Sequence, residues 1–259
     1  MLEPIQYFLG AFSGVLVGFV LGLVGGGGSI LAVPLMVYLV GVRNPHVAIG
    51  TSALAVAANA AMGLAAHGRL GNVKWRCASV FALSGVAGAF IGSSLGKAFD
   101  GQKLLFLFAL VMIVVGVAML RRRSHVGDPD VRLGRENAAK LVLYGLGTGL
   151  FSGFFGIGGG FLIVPGLIAA SRMPMLLAVG SSLLAVTAFG LTTAANYAFS
   201  GFIDWPLAVV FVVGGLAGSF VGTRVAKRLS GAGHLTTVFA SLIFVVAAYM
   251  LWKSANSIL

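Results

Sequence analysis

Apolar runs bounded by charged or turn residues divide the chain into ten pieces, five on either side of a single polar stretch. In the first half they cover residues 5–24, 29–42, 46–66, 75–96 and 103–120. In the second half they cover 141–155, 160–171, 175–199, 206–226 and 234–252. Most are close to the roughly 20 apolar residues that a helical membrane span needs. Pieces 29–42 and 160–171 are shorter, reaching only about 21 and 18 Å as α-helix. The pattern predicts an all-α polytopic membrane protein. Its units are a first membrane repeat over 1–120, a cytoplasmic linker over 121–140 and a second membrane repeat over 141–259.

The halves are copies of one another. A shift of 130 residues pairs 46–97 with 176–227, and 19 of these 52 pairs are identical, including Trp75 with Trp205 and Gly50 with Gly180. A shift of 131 pairs Gly25, Gly28 and Pro34 with Gly156, Gly159 and Pro165. Such recurrence is the mark of duplication. Each half thus reads as a Gly-broken helix doublet followed by three spanning helices.

Charge counting bears on their relative orientation, because Lys and Arg favour cytoplasmic loops. Each doublet contributes either an even number of crossings, as two short spans or one re-entrant hairpin, or a single crossing. With an even number and the linker inside, 13 of the 17 basic residues fall inside, and only Arg43, Lys97, Lys103 and Lys253 fall outside. With one crossing per doublet the split is 10 to 7. The first partition is the better one, and it makes the halves inverted repeats with both termini outside, as in many secondary transporters.

Composition narrows the chemistry. Of 259 residues, 59% are hydrophobic and 9% charged, mean hydropathy is +1.04, and the formal charge is +11. The basic residues lie between apolar runs rather than on a continuous stripe, so they read as topology signals and not as a nucleic-acid surface. The single Cys77 excludes a disulfide framework, a four-cysteine zinc site and an iron–sulfur cluster built on this chain alone. All six acidic residues sit at termini or in loops, whereas cation pumps and many proton relays keep a carboxylate inside the membrane. Cation transport is therefore disfavoured. No ATP-binding motif is present, and Gly25–Gly28 is not followed by the Gly-Lys-Ser/Thr of a phosphate loop.

The candidate site lies at the two glycine clusters. Four consecutive glycines interrupt a helix, and the helix start that follows offers free N–H groups and a positive dipole end to an anion. Inversion would let two such starts converge near the midplane. Binding residues expected there are Gly26, Gly27, Gly28 and Ser29 in the first half and Gly158, Gly159 and Gly160 in the second. The inner helices add the hydroxyl pairs Thr51 and Ser52, Ser181 and Ser182, and the amide of Asn59; hydroxyls and amides donate to an oxyanion without carrying charge. Thr187, Thr192, Thr193 and Asn196 lie further along the second inner helix. His67, His46, His125 and His234 share no metal-ligand spacing. Gly88 with Gly92, and Gly218 with Gly222, read as small-xxx-small packing faces, and Trp75, Trp205 and Trp252 as an interfacial belt.

These motifs carry a resemblance. The run from Gly25 to Pro34, then Ala48-Ile49-Gly50-Thr51-Ser52, and their echoes Gly156 to Pro165 and Ala178-Val179-Gly180-Ser181-Ser182, resemble the TauE/SafE sulfite exporter family. The resemblance covers both halves. It implies a bacterial inner-membrane carrier of sulfur-containing anions such as sulfite or organosulfonates, often an exporter, working by secondary transport without a cofactor or metal. The partners it implies are a small sulfur-containing anion and the lipid bilayer, with self-association into a homo-oligomer left open and no nucleic acid. The rival classes are a non-transporting membrane helper subunit and a membrane-embedded enzyme. The enzyme would need a nucleophile, acid/base or metal constellation, which Cys77 and the scattered histidines do not supply.

Overall fold

A computed structural model describes residues 3–121, 127–128, 131, 133–156, 160–230 and 235–258. Ile157, Gly158, Gly159, Arg122, Arg123, His125, Pro129, Asp130, Arg132 and His234 lie outside the described residues. The described residues are all-helical: α1 (Pro4–Val24), α2 (Gly25–Leu39), α3 (Pro45–Arg69), α4 (Trp75–Ala98), α5 (Gly101–Arg121), α6 (Arg135–Phe155), α7 (Gly160–Ser171), α8 (Met175–Ala198), α9 (Trp205–Ser230) and α10 (Leu235–Ile258). Among them α1, α3, α4, α6, α8 and α9 contain stretches long and apolar enough to cross a membrane.

Local chemistry explains the boundaries. Asn44 Oδ1 accepts the His46 N–H at 2.9 Å and Pro45 opens α3, where a missing N–H costs nothing. Asp100 Oδ1 accepts from the N–H groups of Gln102 and Lys103, starting α5. The compound helix α2 winds as a 3-10 stretch over Gly25–Leu31, one α turn over Ala32–Pro34 and a π turn over Leu35–Leu39. Glycines do not hold the α form firmly and Pro34 has no N–H to give it, so the helix changes pitch there.

Glycine ladders hold the halves together. Gly14, Gly18 and Gly22 on α1 face Phe211, Gly215 and Ser219 on α9, with backbone against backbone. The repeat-related seam joins α6 to α4, where Gly145, Gly149 and Gly153 face Phe81, Gly85 and Ala89. Residue numbers rise together along both seams, so each pair is parallel. Gly88, Gly92, Gly218 and Gly222 lie in these seams as small-xxx-small packing predicts. At the centre α3 packs on α8 in the opposite sense: Gly190 lies against Ala57, while Gly63 lies against Leu183. These two repeat-related helices are therefore antiparallel.

The turns repeat as well. Residues with positive φ are Gly25 and Gly156, Gly41 and Arg172, and Gly71 and Gly201, each pair separated by 131 or 130 positions. The outer surface is apolar: Leu83, Phe90, Leu143, Val209 and Phe220 are all at least half exposed, as suits a lipid-facing wall. Helix α5 turns Leu104, Phe108 and Met112 inward and Phe106, Leu110 and Val114 outward, so one of its faces suits lipid. Trp75, Trp205 and Trp252 are exposed near helix ends.

Candidate functional site

The first glycine cluster reverses the chain at Gly25, whose φ of 67° is left-handed, and a Cβ there would meet the Val179 carbonyl at 2.6 Å. Beyond it Gly26, Gly27, Gly28 and Ser29 are buried within the 3-10 turn. The Gly26 N–H donates to Ser182 Oγ at 3.1 Å, and Ser182 Oγ donates to the Val179 carbonyl at 2.7 Å. Ser29 Oγ donates to the Gly26 carbonyl at 3.0 Å. A hydroxyl of the second half thus sits on the reversal of the first. The second cluster begins at Gly156, also at φ 67°, where a Cβ would strike the Ile49 side chain. Ile49 precedes Ser52 by three residues, as Val179 precedes Ser182.

The other hydroxyl of each pair clasps the opposite half. Thr51 Oγ1 accepts the Asp204 N–H at 3.0 Å, and Ser181 Oγ accepts the Lys74 N–H at 2.9 Å. Asp204 and Lys74 are themselves repeat-related, each just before the tryptophan that opens α9 or α4. Gly50 and Gly180 press against the carbonyls of Phe202 and Asn72 in the same crossed way. Ser52 Oγ returns to the Ile49 carbonyl at 3.0 Å.

The turn residues Gly25 and Gly156 lie at different levels, but the helices that start after them meet: the Gly25–Leu31 stretch of α2 packs directly on α7. Gly25 lies beside the first turns of α8, and Gly156 beside the first turns of α3. Because α3 and α8 are antiparallel, the clusters sit at opposite ends of that pair, on the order of 25 Å apart along the helices. The physical reason is the length that α2 covers. Gly28 packs on Leu21, and at its far end the Val40 carbonyl accepts from Gln6 Nε2 at 2.9 Å. The segment therefore runs back along nearly all of α1. A 3-10 stretch rising about 2.0 Å per residue, against about 1.5 Å in an α-helix, helps so few residues do it. The first doublet is a pair of antiparallel helices, α1 and α2, of similar reach.

The site residues consequently sort into two end groups. One joins Gly26, Gly27, Gly28 and Ser29 to Ser181 and Ser182; the other joins Gly160, at the start of α7, to the end where Thr51 and Ser52 lie. Gly158 and Gly159 are outside the described residues. Asn59 belongs to neither group. It lies mid-way along α3, fully buried, where a Cβ on Gly215 would strike its amide, and neither amide atom has a hydrogen-bond partner. Thr187 and Thr192 bond back to their own helix at 2.7 and 2.8 Å. His67 is buried at the end of α3.

A polar cluster missed in the sequence gathers at the Gly156 end. Lys97 Nζ donates to Asn196 Oδ1 at 2.8 Å, to the Asn196 carbonyl at 3.0 Å and to Ser200 Oγ at 2.8 Å. Asn196 Nδ2 in turn donates to Ser93 and Ser94. The contact spans about a hundred residues, which local spacing does not reveal. The available signal was the repeat pairing of Lys97 with Lys227 at the ends of two otherwise apolar helices. Among the described residues no group of three or more His, Cys, Asp or Glu side chains is placed to hold a metal.

Glu136, expected in a loop, lies in the first turn of α6; a multi-helix membrane protein with two crossed, repeat-related halves is built as transporters are. The family model described as sulfite exporter TauE/SafE matches residues 10–250, and the chain belongs to that family of membrane transporters. A probable membrane transporter protein of Xylella fastidiosa (strain 9a5c) is 53% identical over 252 residues, covering 95% of either chain. The probable membrane transporter protein YdhB of Bacillus subtilis is 26% identical over 241 residues, 89% of this chain and 96% of its own. A probable membrane transporter protein of Haemophilus influenzae is 26% identical over 258 residues, 93% and 96% of the two chains. No solved structure matches. The family and these names point to a transporter rather than an enzyme, in a multi-pass protein of the bacterial inner membrane.

Proposed function

We propose that the chain is a secondary carrier, working as an exporter, for sulfur-containing anions such as sulfite or organosulfonates. The anion passes between the two Gly-rich reversals, and the halves, inverted with respect to each other, rock to expose one end and then the other. The observation that carries this reading is the crossed arrangement of the ends. At one of them the Gly26 N–H is held by Ser182 of the other half, and at the other Gly156 is packed on Ile49, next to Thr51 and Ser52. Each gate would then be made from both halves, so motion of one half against the other opens one gate as it closes its counterpart. The bonds at these gates join neutral groups, whose net worth is only about 1 kcal/mol each, which suits exchange with a passing anion. The antiparallel packing of α3 on α8 supports the inversion.

The test is flux of sulfite, sulfoacetate, taurine and sulfate by the purified protein in liposomes. Gly27→Leu and Gly159→Leu should each lower sulfite or sulfonate flux by roughly tenfold or more while the protein still inserts. Undiminished flux in both variants would sink the proposal, and absence of flux in the wild type would favour the helper-subunit class.

A further inference from the structure

The geometry points to an oxyanion-receiving site at the Gly156 end, centred on the Lys97 ammonium and completed by the Tyr197 hydroxyl and His46. It rests on the carrier reading and adds the residues that would meet the anion at one mouth.

Three observations converge on it. Lys97 is half-buried and spends its three N–H donors on uncharged oxygens, those of Asn196 and Ser200, with no carboxylate at ion-pair distance among the described residues. The neighbouring Asp100 and Asp204 are occupied with helix starts, Asp204 Oδ1 accepting the Leu207 N–H at 3.0 Å. The partial negative charge of the α4 and α8 C-terminal turns holds the ammonium there without a full counter-charge, so it can still attract a diffusible anion. Beside it, the Tyr197 ring lies 5.9 Å from Lys97 Nζ; Tyr197 is fully buried, yet its hydroxyl has no hydrogen-bond partner. The His46 ring is 6.2 Å from that of Tyr197, and its Nδ1 is likewise buried and unpartnered. Leaving such groups unsatisfied is costly unless something else comes to bond them.

The location fits a mouth of the pathway. A Cβ on Gly50 would lie 3.0 Å from Tyr197 Cβ, and the adjacent Ile49 packs on Gly156. A point charge over an aromatic ring that carries an unpartnered hydroxyl suits the oxygens of a sulfite or sulfonate group. The arriving oxygen displaces Asn196 or Ser200 from Lys97, and in doing so loosens the tie between α4 of one half and α8 of the other. The cluster is also one-sided. At the repeat-related positions the lysine recurs as Lys227, but Asn196 is replaced by Ala66, Tyr197 by His67 and His46 by Leu176.

Sulfite binding to the purified full chain, measured by titration calorimetry beside its melting temperature, tests the site. Lys97→Gln should weaken sulfite binding by about tenfold or more, and Lys97→Arg should recover most of that loss. Tyr197→Phe should weaken binding by about threefold to tenfold with an unchanged or raised melting temperature, because its hydroxyl has no bond to lose. A merely structural tie predicts the contrary: a lower melting temperature for Lys97→Gln with unchanged sulfite affinity, and no change in affinity for Tyr197→Phe. Wild-type affinity in both Lys97→Gln and Tyr197→Phe would overturn the site while leaving the carrier reading in place. Failure of the wild type to bind either sulfite or sulfoacetate would overturn both.

Discussion

The notch left by Gly215 on α9 is filled by the amide of Asn59, while the repeat-related notch left by Gly85 on α4 is filled by the ring of Phe189. The backbone around the two notches follows one plan, yet one is closed by an unpartnered polar group and the other by a well-buried aromatic. The comparison separates what the duplicated architecture requires from what it tolerates. Both halves need a glycine at the notch so that a side chain from the inner helix can enter. Neither requires that side chain to be polar. The Asn59 amide, whose burial without partners costs on the order of 1–3 kcal/mol, is therefore the better candidate for contact with something that passes.

Variants at the glycine seams should give the largest effects and test how far the equivalence of the halves extends. Gly18→Leu on α1 and Gly149→Leu on α6 occupy repeat-related positions, and each would drive a side chain into facing backbone. Overpacking of about 3 kcal/mol or more is expected in both, read as loss of monodisperse protein and a lowered melting temperature. A large loss in one with none in the other would break the equivalence. The notch itself comes next. Phe189→Asn should destabilise by about 3 kcal/mol through lost aromatic burial. Asn59→Leu should stabilise by about 1 kcal/mol, yet lower anion flux. A destabilised Asn59→Leu would mean that the amide has a structural partner after all. Smallest is the turn where Gly41 in one half corresponds to Arg172 in the other, both with positive φ. Arg172→Gly should raise stability by up to about 1 kcal/mol by relieving a left-handed non-glycine residue, measured as a small upward shift in melting temperature.

The sequence carried much of this fold because duplication and apolar runs are one-dimensional signals. The ten pieces correspond to ten helices among the described residues, and the matched Gly50 and Gly180, read as marks of duplication, press on Phe202 and Asn72 of the opposite halves. The first glycine run was the misleading signal. It placed the helix start at Ser29, because four consecutive glycines read as a break; the structure winds them into the helix, which begins at Gly25.

Residue order alone determined that this is an all-helical membrane protein made of two related halves, since periodicity, hydropathy and charge are properties of the chain itself. Only the tertiary structure decided which hydroxyl meets which glycine, and that Lys97 of one half gathers Asn196 and Ser200 of the other. Those partners are a hundred or more residues apart, brought together by backbone packing along glycine seams. Their encounter depends on how whole helices pack, which local sequence does not encode.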